Sequence, residues 1–186
     1  MFQFVSRVAN SAKSTVTATV QGASDVGSST VGAVKNVTVE TIRETGEFVS
    51  EAMDVPASVV KGSLEGVAEI GSSVVGAVKG VVNGAVEGFM EEGGSQGDAV
   101  QSSVGQAVHS AGELNATVGD TAVSSVNGAV EAVSNLGGDT TQALQDGVNA
   151  ALNAAQDVGD EAADEVRESL RSGVEGAQDV IDSLNK

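Results

Sequence analysis

The chain has 186 residues and a formal net charge of −17, from 26 acidic and nine basic side chains, and it contains no Cys, Tyr or Trp. An excess of negative charge this large argues against binding of nucleic acid and against capture by anionic membranes. The lack of cysteine excludes disulfides and thiolate metal sites, and four Phe are too few for a core built on aromatic side chains.

The sequence is organised as an eleven-residue repeat that runs from end to end. Written in rows of eleven from Met1, it fills sixteen rows and one row of ten without an insertion. Rows that begin at Val34, Val78 and Val166 read VKNVTVETIRE, VKGVVNGAVEG and VRESLRSGVEG. Internal repetition at a fixed period is typical of repeat architectures. We therefore interpret residues 1–186 as a single repeat array.

One face of this repeat is almost free of charge. Each of the eleven positions in a row forms a column down the aligned rows, and columns one, four, five, eight and nine together contain a single charged residue, Glu92. At about 3.67 residues per turn, these five columns are neighbours on the surface of a helix. Apolar residues recur three or four apart and do not alternate, which predicts amphipathic helix and argues against strands. Columns one and nine supply the predicted assembly stripe, which consists of Val34, Val67, Val78, Phe89, Val100, Val133, Leu144 and Val166 with Leu64, Val75, Val86, Val108, Val130, Leu152 and Val174.

The predicted fold is therefore all-α, as one long amphipathic helix or as two to four helices joined at hinges. An uninterrupted helix of this length would measure about 280 Å. An eleven-residue period predicts helices that are straight or wrapped in a slight right-handed supercoil, so we expect right-handed coiled-coil or helical-array packing.

In chain order, the first helix-breaking signal is Val55-Pro56, a possible hinge. An apolar segment follows in which four glycines recur every fourth residue, and this spacing lets helix backbones approach closely. A membrane-spanning helix over residues 70–86 is the alternative for this segment, although Lys79 lies in its middle. The predicted close-packing glycines are Gly76, Gly80, Gly84 and Gly88.

Two further breaks are predicted near residues 93–98 and 137–139, which are rich in glycine. At the second of them, Asp139 and Gln142 have the spacing of a capping box. The apolar stripe keeps its phase across both breaks, from Phe89 to Val100 and from Val133 to Leu144. The helix therefore continues through these positions, or they are hinges in a chain that grew by tandem duplication.

No set of residues in the sequence predicts a reaction. The only histidine, His109, lies in the tenth column among acidic and polar residues, where a solvent-facing side chain is expected. The glycine-rich run 71–77 lacks the Lys and Ser/Thr of a phosphate loop, and the acidic cluster 157–168 lacks the pattern of a calcium loop. We expect no enzymatic activity, cofactor, bound metal or small-molecule substrate.

The period resembles that of the eleven-residue repeats of synucleins, perilipins and exchangeable apolipoproteins. The segment Val60-Lys-Gly-Ser-Leu-Glu-Gly-Val67 looks like the synuclein type in particular. This resemblance implies amphipathic helices that lie on lipid surfaces.

Two functions fit these features. The first is a self-assembling structural protein, a filament, sheath or scaffold in which copies of the chain bury each other's stripes and folding is coupled to assembly. An isolated chain is then expected to be poorly ordered, because one row of Val and Ala side chains buries too little surface. The alternative is an amphipathic coat on a lipid droplet, storage granule, vesicle or gas compartment. The sequence has no secretory signal, so we expect a location in the cytoplasm or at an internal surface.

Overall fold

The helices of this chain are short. The computed structural model describes residues 2–21, 25–45 and 54–184, and within these ranges every regular element is an α-helix of 8 to 20 residues. A single uninterrupted helix is therefore not formed, and the expected two to four helices are too few. The described helices are α1 Phe2–Val20, α2 Val26–Thr45, α3 Val55–Glu69, α4 Val74–Glu91, α5 Gln96–Glu113, α6 Val118–Asn135, α7 Thr140–Val158, α8 Asp160–Gly173 and α9 Ala177–Leu184.

A glycine or asparagine in left-handed conformation ends four of these helices at intervals of 22 residues. After α4, Gly93 has φ of 93°, and the N–H of Gly94 donates to the Phe89 carbonyl at 2.9 Å. This bond from the second residue past the helix end satisfies a carbonyl of the last turn, and it requires the positive φ that glycine adopts most easily. The four residues are Gly71, Gly93, Asn115 and Gly137.

The helix starts follow the same interval. Ser73, Ser95, Thr117 and Asp139 precede α4, α5, α6 and α7 in extended conformation. Three of them accept a hydrogen bond from a backbone N–H of the first turn, which is otherwise without a partner in a helix. The structural unit in this part of the chain is therefore one helix and one loop, 22 residues or two rows of the sequence repeat.

The three predicted breaks all fall at or between helix ends. Residues 93–98 include the loop from α4 to α5, residues 137–139 lie between α6 and α7, and Pro56 occupies the first turn of α3. The interpretation that helix continues through them is wrong, while their role as hinges stays a prediction. Loops at 70–73, 114–117 and 174–176 were not expected.

The capping box predicted at α7 forms only in half. The Asp139 side chain accepts the N–H of Gln142 at 3.0 Å, as a capping box requires. However, the Gln142 side chain donates to Asp146, and the Asp139 N–H donates to the side chain of Gln96 in α5. The return bond therefore comes from another helix and ties the start of α7 to the start of α5.

The helices form an array of two layers. Short loops make consecutive helices antiparallel, and each helix also packs against the next but one, as in α1 with α3, α2 with α4, α4 with α6 and α5 with α7. Odd-numbered helices therefore lie in one layer and even-numbered helices in the other, and α9 ends the odd layer against α7 and α8. The core consists almost entirely of Val and Ala, with few larger side chains such as Phe89, Leu64 and Leu170.

Within the described residues, we find no helix that combines the length and the apolar character needed to cross a membrane. The segment 70–86, which the sequence offers as a membrane-spanning alternative, contains the loop between α3 and α4.

Candidate functional site

The predicted assembly stripe is buried within the chain itself. Most of its residues have no solvent exposure, because the stripes of neighbouring helices cover one another. Leu152 and Val174 are 7% and 6% exposed, and Val75, Val130 and Leu144 are half-buried. The stripe residues with at most 1% exposure are Val34, Leu64, Val67, Val78, Val86, Phe89, Val100, Val108, Val133 and Val166. The stripe thus forms the hydrophobic core of a single chain and is not exposed on its surface.

Three of the four predicted close-packing glycines contact another helix of the same chain. A Cβ on Gly80 would lie 2.0 Å from the carbonyl oxygen of Gly27, and a Cβ on Gly84 would lie 2.4 Å from that of Val31. Gly88 likewise lies against Lys35 and Thr38, all in α2. Gly76, in contrast, is exposed, and an added Cβ there would meet only its own capping residue, Ser73, at 3.4 Å.

The same close approach recurs between other helices of one layer. A Cβ on Gly62 in α3 would lie 2.0 Å from the carbonyl oxygen of Ala9 in α1, and one on Gly128 in α6 would lie 2.5 Å from that of Lys79 in α4. Since no side chain fits at these positions, the parallel neighbours of each layer are in backbone contact.

Ion pairs join the same neighbours along the surface. Lys61 in α3 reaches Glu113 in α5 at 3.3 Å, and Lys79 in α4 reaches Glu131 in α6 at 2.6 Å. Lys35 in α2 lies 2.6 Å from Glu91 and 3.4 Å from Glu87 in α4. In each of these pairs the lysine lies on one helix and the acid lies on the helix two positions later in the chain, so every pair has the same direction along its layer.

Three ion pairs between helices raise the pKa of the basic side chain. The hydrogen bond from Lys35 to Glu91, with a further one to Glu87, raises the Lys35 pKa above 10.5. A hydrogen bond to Glu69 raises the Lys13 pKa, and one to Glu92 raises the Arg43 pKa. At the start of α2, hydrogen bonds from the Ser28 hydroxyl and backbone lower the pKa of Asp25.

A concave surface lined by several amide side chains lies on α5, α7, α8 and α9. A cavity of about 440 Å³ between α5 and α7 is lined in part by Gln101, Gln106 and Asn153. A second, of about 510 Å³, extends over α7 to α9 and shares Gln101, Ala150 and Asn153 with the first. We name this surface the amide groove, and define it by Gln101, Gln106, Asn149, Asn153 and Gln156.

Helix α7 supplies the groove with a row of amide side chains. Gln142, Gln145, Asn149, Asn153 and Gln156 follow one another at spacings of three or four and lie within an arc of about 80° at 100° per residue. Four of them are exposed and Asn149 is half-buried, whereas Ala143, Val148 and Ala155 on the opposite side are buried. The outer face of α7 is therefore uncharged and rich in hydrogen-bonding groups.

A mostly buried carboxylate fixes one end of this surface. Asp146 is 9% exposed, and its Oδ1 accepts hydrogen bonds from Gln101 Nε2 at 3.1 Å and Gln142 Nε2 at 3.2 Å. These two bonds hold an amide of α5 and an amide of α7 in place. The side-chain amides of Asn149, Asn153 and Gln156 make no hydrogen bond to other described residues, so they are available to a ligand.

The residues at the edge of the groove include the single histidine. His109 is exposed at its edge beside Asp157, as expected for a solvent-facing side chain. Among the described residues, no group of three His, Cys, Asp or Glu side chains is placed to hold a metal ion. The acidic cluster 157–168 contains Asp157, Glu165 and four other acids, and Glu165 accepts the backbone N–H of Gly119 at 3.0 Å.

The amide row was missed in the sequence although its signal is present there. Five Asn and Gln at helical spacing in one 19-residue helix are readable once the helix limits are known. Neutral polar residues do not contribute to the pattern of charged and apolar columns, which is why the amide row did not stand out.

Comparisons with known proteins give the fold alone. No protein-family model and no curated protein sequence matches the chain. Among solved structures, the crystal structure of the de novo designed helical repeat protein DHR7 is similar, with a TM-score of 0.55 and 19% sequence identity over 94% of this chain and 95% of that one. The chain is accordingly an all-α helical repeat, and this likeness says nothing of its function.

Proposed function

We propose that the protein is a non-enzymatic structural scaffold of helical repeats that folds as a single chain and acts through its solvent-exposed faces. The observation that carries the proposal is the burial of the stripe, in which Val100, Val133 and Val166 have no solvent exposure within one chain. An array whose apolar faces already cover one another needs no partner in order to fold.

Self-assembly through the stripe would need these residues to be exposed before the copies meet. Since they are buried, the stripe does not support a filament or sheath in which folding waits for assembly. Exposed residues of α1 and α2, such as Ser6, Asn10, Ser14, Asn36 and Glu40, are polar.

No specific observation favours the lipid-coat alternative, which the resemblance to synuclein-type repeats implies. A coat helix presents a continuous apolar face to the lipid. The exposed large apolar side chains in the described ranges are Leu136, Val158 and Leu184, which lie at two helix ends and near the end of the chain. They do not form such a face.

The eleven-residue row is half of the structural unit in this proposal. Helix starts recur every 22 residues from Ser73 to Asp139, so two rows make one helix and its loop. The stripe keeps its phase across the loops because each helix and its loop together fill two whole rows.

Circular dichroism and size-exclusion chromatography with light scattering test the proposal on the purified chain at low micromolar concentration, without lipid. We expect a helical monomer that unfolds cooperatively. A disordered monomer that becomes helical only with liposomes favours the coat, and one that becomes helical only in filaments favours assembly through the stripe. Either result overturns the scaffold.

A further inference from the structure

We propose that the amide groove binds an extended polypeptide segment of a partner protein, of neutral or basic character. This inference rests on the scaffold function proposed above and names the partner class for one of its faces.

The chemistry of the groove matches a peptide backbone. An extended backbone presents alternating N–H donors and C=O acceptors, and each Asn or Gln side chain carries both a donor and an acceptor group. The groove amides of α7, from Asn149 to Gln156, extend about 10 Å along the helix, at 1.5 Å per residue, which is the length of about three residues of extended chain. A row of neutral amides can therefore pair with successive backbone groups independently of the side chains.

The surroundings of the row favour close approach of a main chain. Ala150 lies in both cavities between the amides, and its small side chain leaves room for a backbone beside them. The Asp146 carboxylate holds Gln101 and Gln142 in position, which lowers the conformational entropy lost when a ligand binds.

The ends of the groove predict features of the partner sequence. On the α9 side, Leu184 is 53% exposed beside Ile181 and Leu152, which provides a contact for one apolar side chain. Arg167, which is paired with Asp164, lines the same cavity and disfavours a basic partner residue at this end. On the α5 side, Asp157 lines the cavity, and the whole chain carries a net charge of −17. A segment with one apolar residue and with basic residues beyond it is complementary to both.

Other ligand classes fit less well. Sugar rings are commonly packed against aromatic side chains, and no aromatic residue lines either cavity. Nucleic acid is disfavoured by the negative charge. Lipid would need an apolar floor where the groove has amides.

The test uses a positional-scanning library of acetylated, amidated nonapeptides, with the selected peptide then measured by fluorescence polarisation. The test variant is Asn149→Ala, Asn153→Ala and Gln156→Ala combined. The matched control replaces three exposed amides outside the groove, Gln3→Ala, Asn36→Ala and Gln178→Ala. Alanine has the higher helix propensity, so both variants are expected to fold.

We expect the wild type to select peptides with one apolar residue and basic residues toward one end. The groove variant should bind the selected peptide on the order of 100-fold more weakly, since each lost amide pair accounts for about a fivefold change. The control variant should bind within about twofold of the wild type. A peptide with N-methyl groups at alternate backbone positions should bind on the order of tenfold more weakly, because those donors are lost.

The proposal is overturned if the folded monomer selects no peptide, if the groove variant binds as the wild type does, or if an array of oligosaccharides binds instead. Circular dichroism and light scattering on the same samples separate the two proposals. A chain that is not a folded monomer refutes the scaffold, whereas a folded monomer that ignores the library refutes only the peptide groove.

Discussion

The contact between α2 and α4 predicts that one substitution, glycine to alanine, has opposite effects at two positions. Gly80 in α4 faces the backbone of α2, where an added Cβ would lie 2.0 Å from the Gly27 carbonyl oxygen and 2.4 Å from Thr30 Oγ1. Gly32 in α2 is exposed, and an added Cβ there meets no atom within 4 Å. Both positions are helical, so the gain in helix propensity is the same.

The magnitudes follow from that geometry. Gly32→Ala should stabilise the protein by up to about 1 kcal/mol, the propensity difference between the two residues. At Gly80 a Cβ needs more than 1 Å of additional separation, since contacts below 3.0 Å are essentially never seen. Forcing packed elements apart typically costs about 1–3 kcal/mol. Because the clash is with backbone, the upper end of this range applies, and subtracting the propensity gain of about 1 kcal/mol leaves Gly80→Ala destabilising by about 2 kcal/mol.

Thermal unfolding followed by circular dichroism at 222 nm measures both effects. For a chain of this size, about 1 kcal/mol corresponds to about 2–4 °C in Tm, so Gly32→Ala should raise Tm by up to that amount and Gly80→Ala should lower it by about twice as much. If Gly80→Ala is as stable as the wild type, the backbones of α2 and α4 do not meet and the reasoning is refuted.

Four further substitutions test the caps and the ion pairs. Asn115 has φ of 53°, in the position where the equivalent loops have glycine. Asn115→Gly should therefore raise the free energy of unfolding by about 0.5 kcal/mol, as measured by urea denaturation. A loss of stability would contradict the left-handed conformation of this residue. Ser95→Ala removes the side-chain oxygen that accepts the Asp98 N–H and should lower the free energy of unfolding by about 1 kcal/mol. Thr117→Ala should lower it by less, because the Thr117 side chain makes no such hydrogen bond. Equal losses of stability would argue against this difference. Lys35→Met should cost about 1 kcal/mol at pH 7 through loss of the contacts with Glu87 and Glu91. Since the Lys35 pKa is raised above 10.5, this stabilisation is present below pH 10.5 and is lost as the pH rises through the raised pKa. The stabilities of the variant and the wild type should therefore converge in urea melts at pH 11 to 12. An unchanged difference in stability at that pH would contradict the pairing.

The helical class and the buried face could be predicted from the sequence because both depend on local periodicity. Valines at columns one and nine recur at helical spacing, and residues such as Val78 and Val100 are indeed fully buried. The even spacing of Gly80, Gly84 and Gly88 likewise indicates a face without side chains, and this face lies against α2. These features need no knowledge of which helix packs on which.

The partner of the stripe could not be predicted in the same way. A helical face that needs covering is equally consistent with another copy of the chain, a lipid surface or a neighbouring helix of the same chain. The loops decide the question, because they allow helices of the same chain to pack on one another. Of the loops between α3 and α8, only two contain a pair of glycines that marks them in the sequence, at 93–94 and 137–138. The turn at Asn115 contains no glycine, so its left-handed conformation was not anticipated.

Zero-length crosslinking of mixed isotopic samples tests most directly whether the stripe is covered within one chain. Unlabelled and ¹⁵N-labelled protein are mixed in equal amounts and treated with a carbodiimide, which joins amines to carboxylates in contact, and the Lys35–Glu91 and Lys79–Glu131 products are analysed by mass spectrometry. If each chain covers its own stripe, both halves of every such product carry the same isotope. Products in which half of the pairs combine one labelled and one unlabelled peptide would show that the contacts form between copies, and would contradict the account.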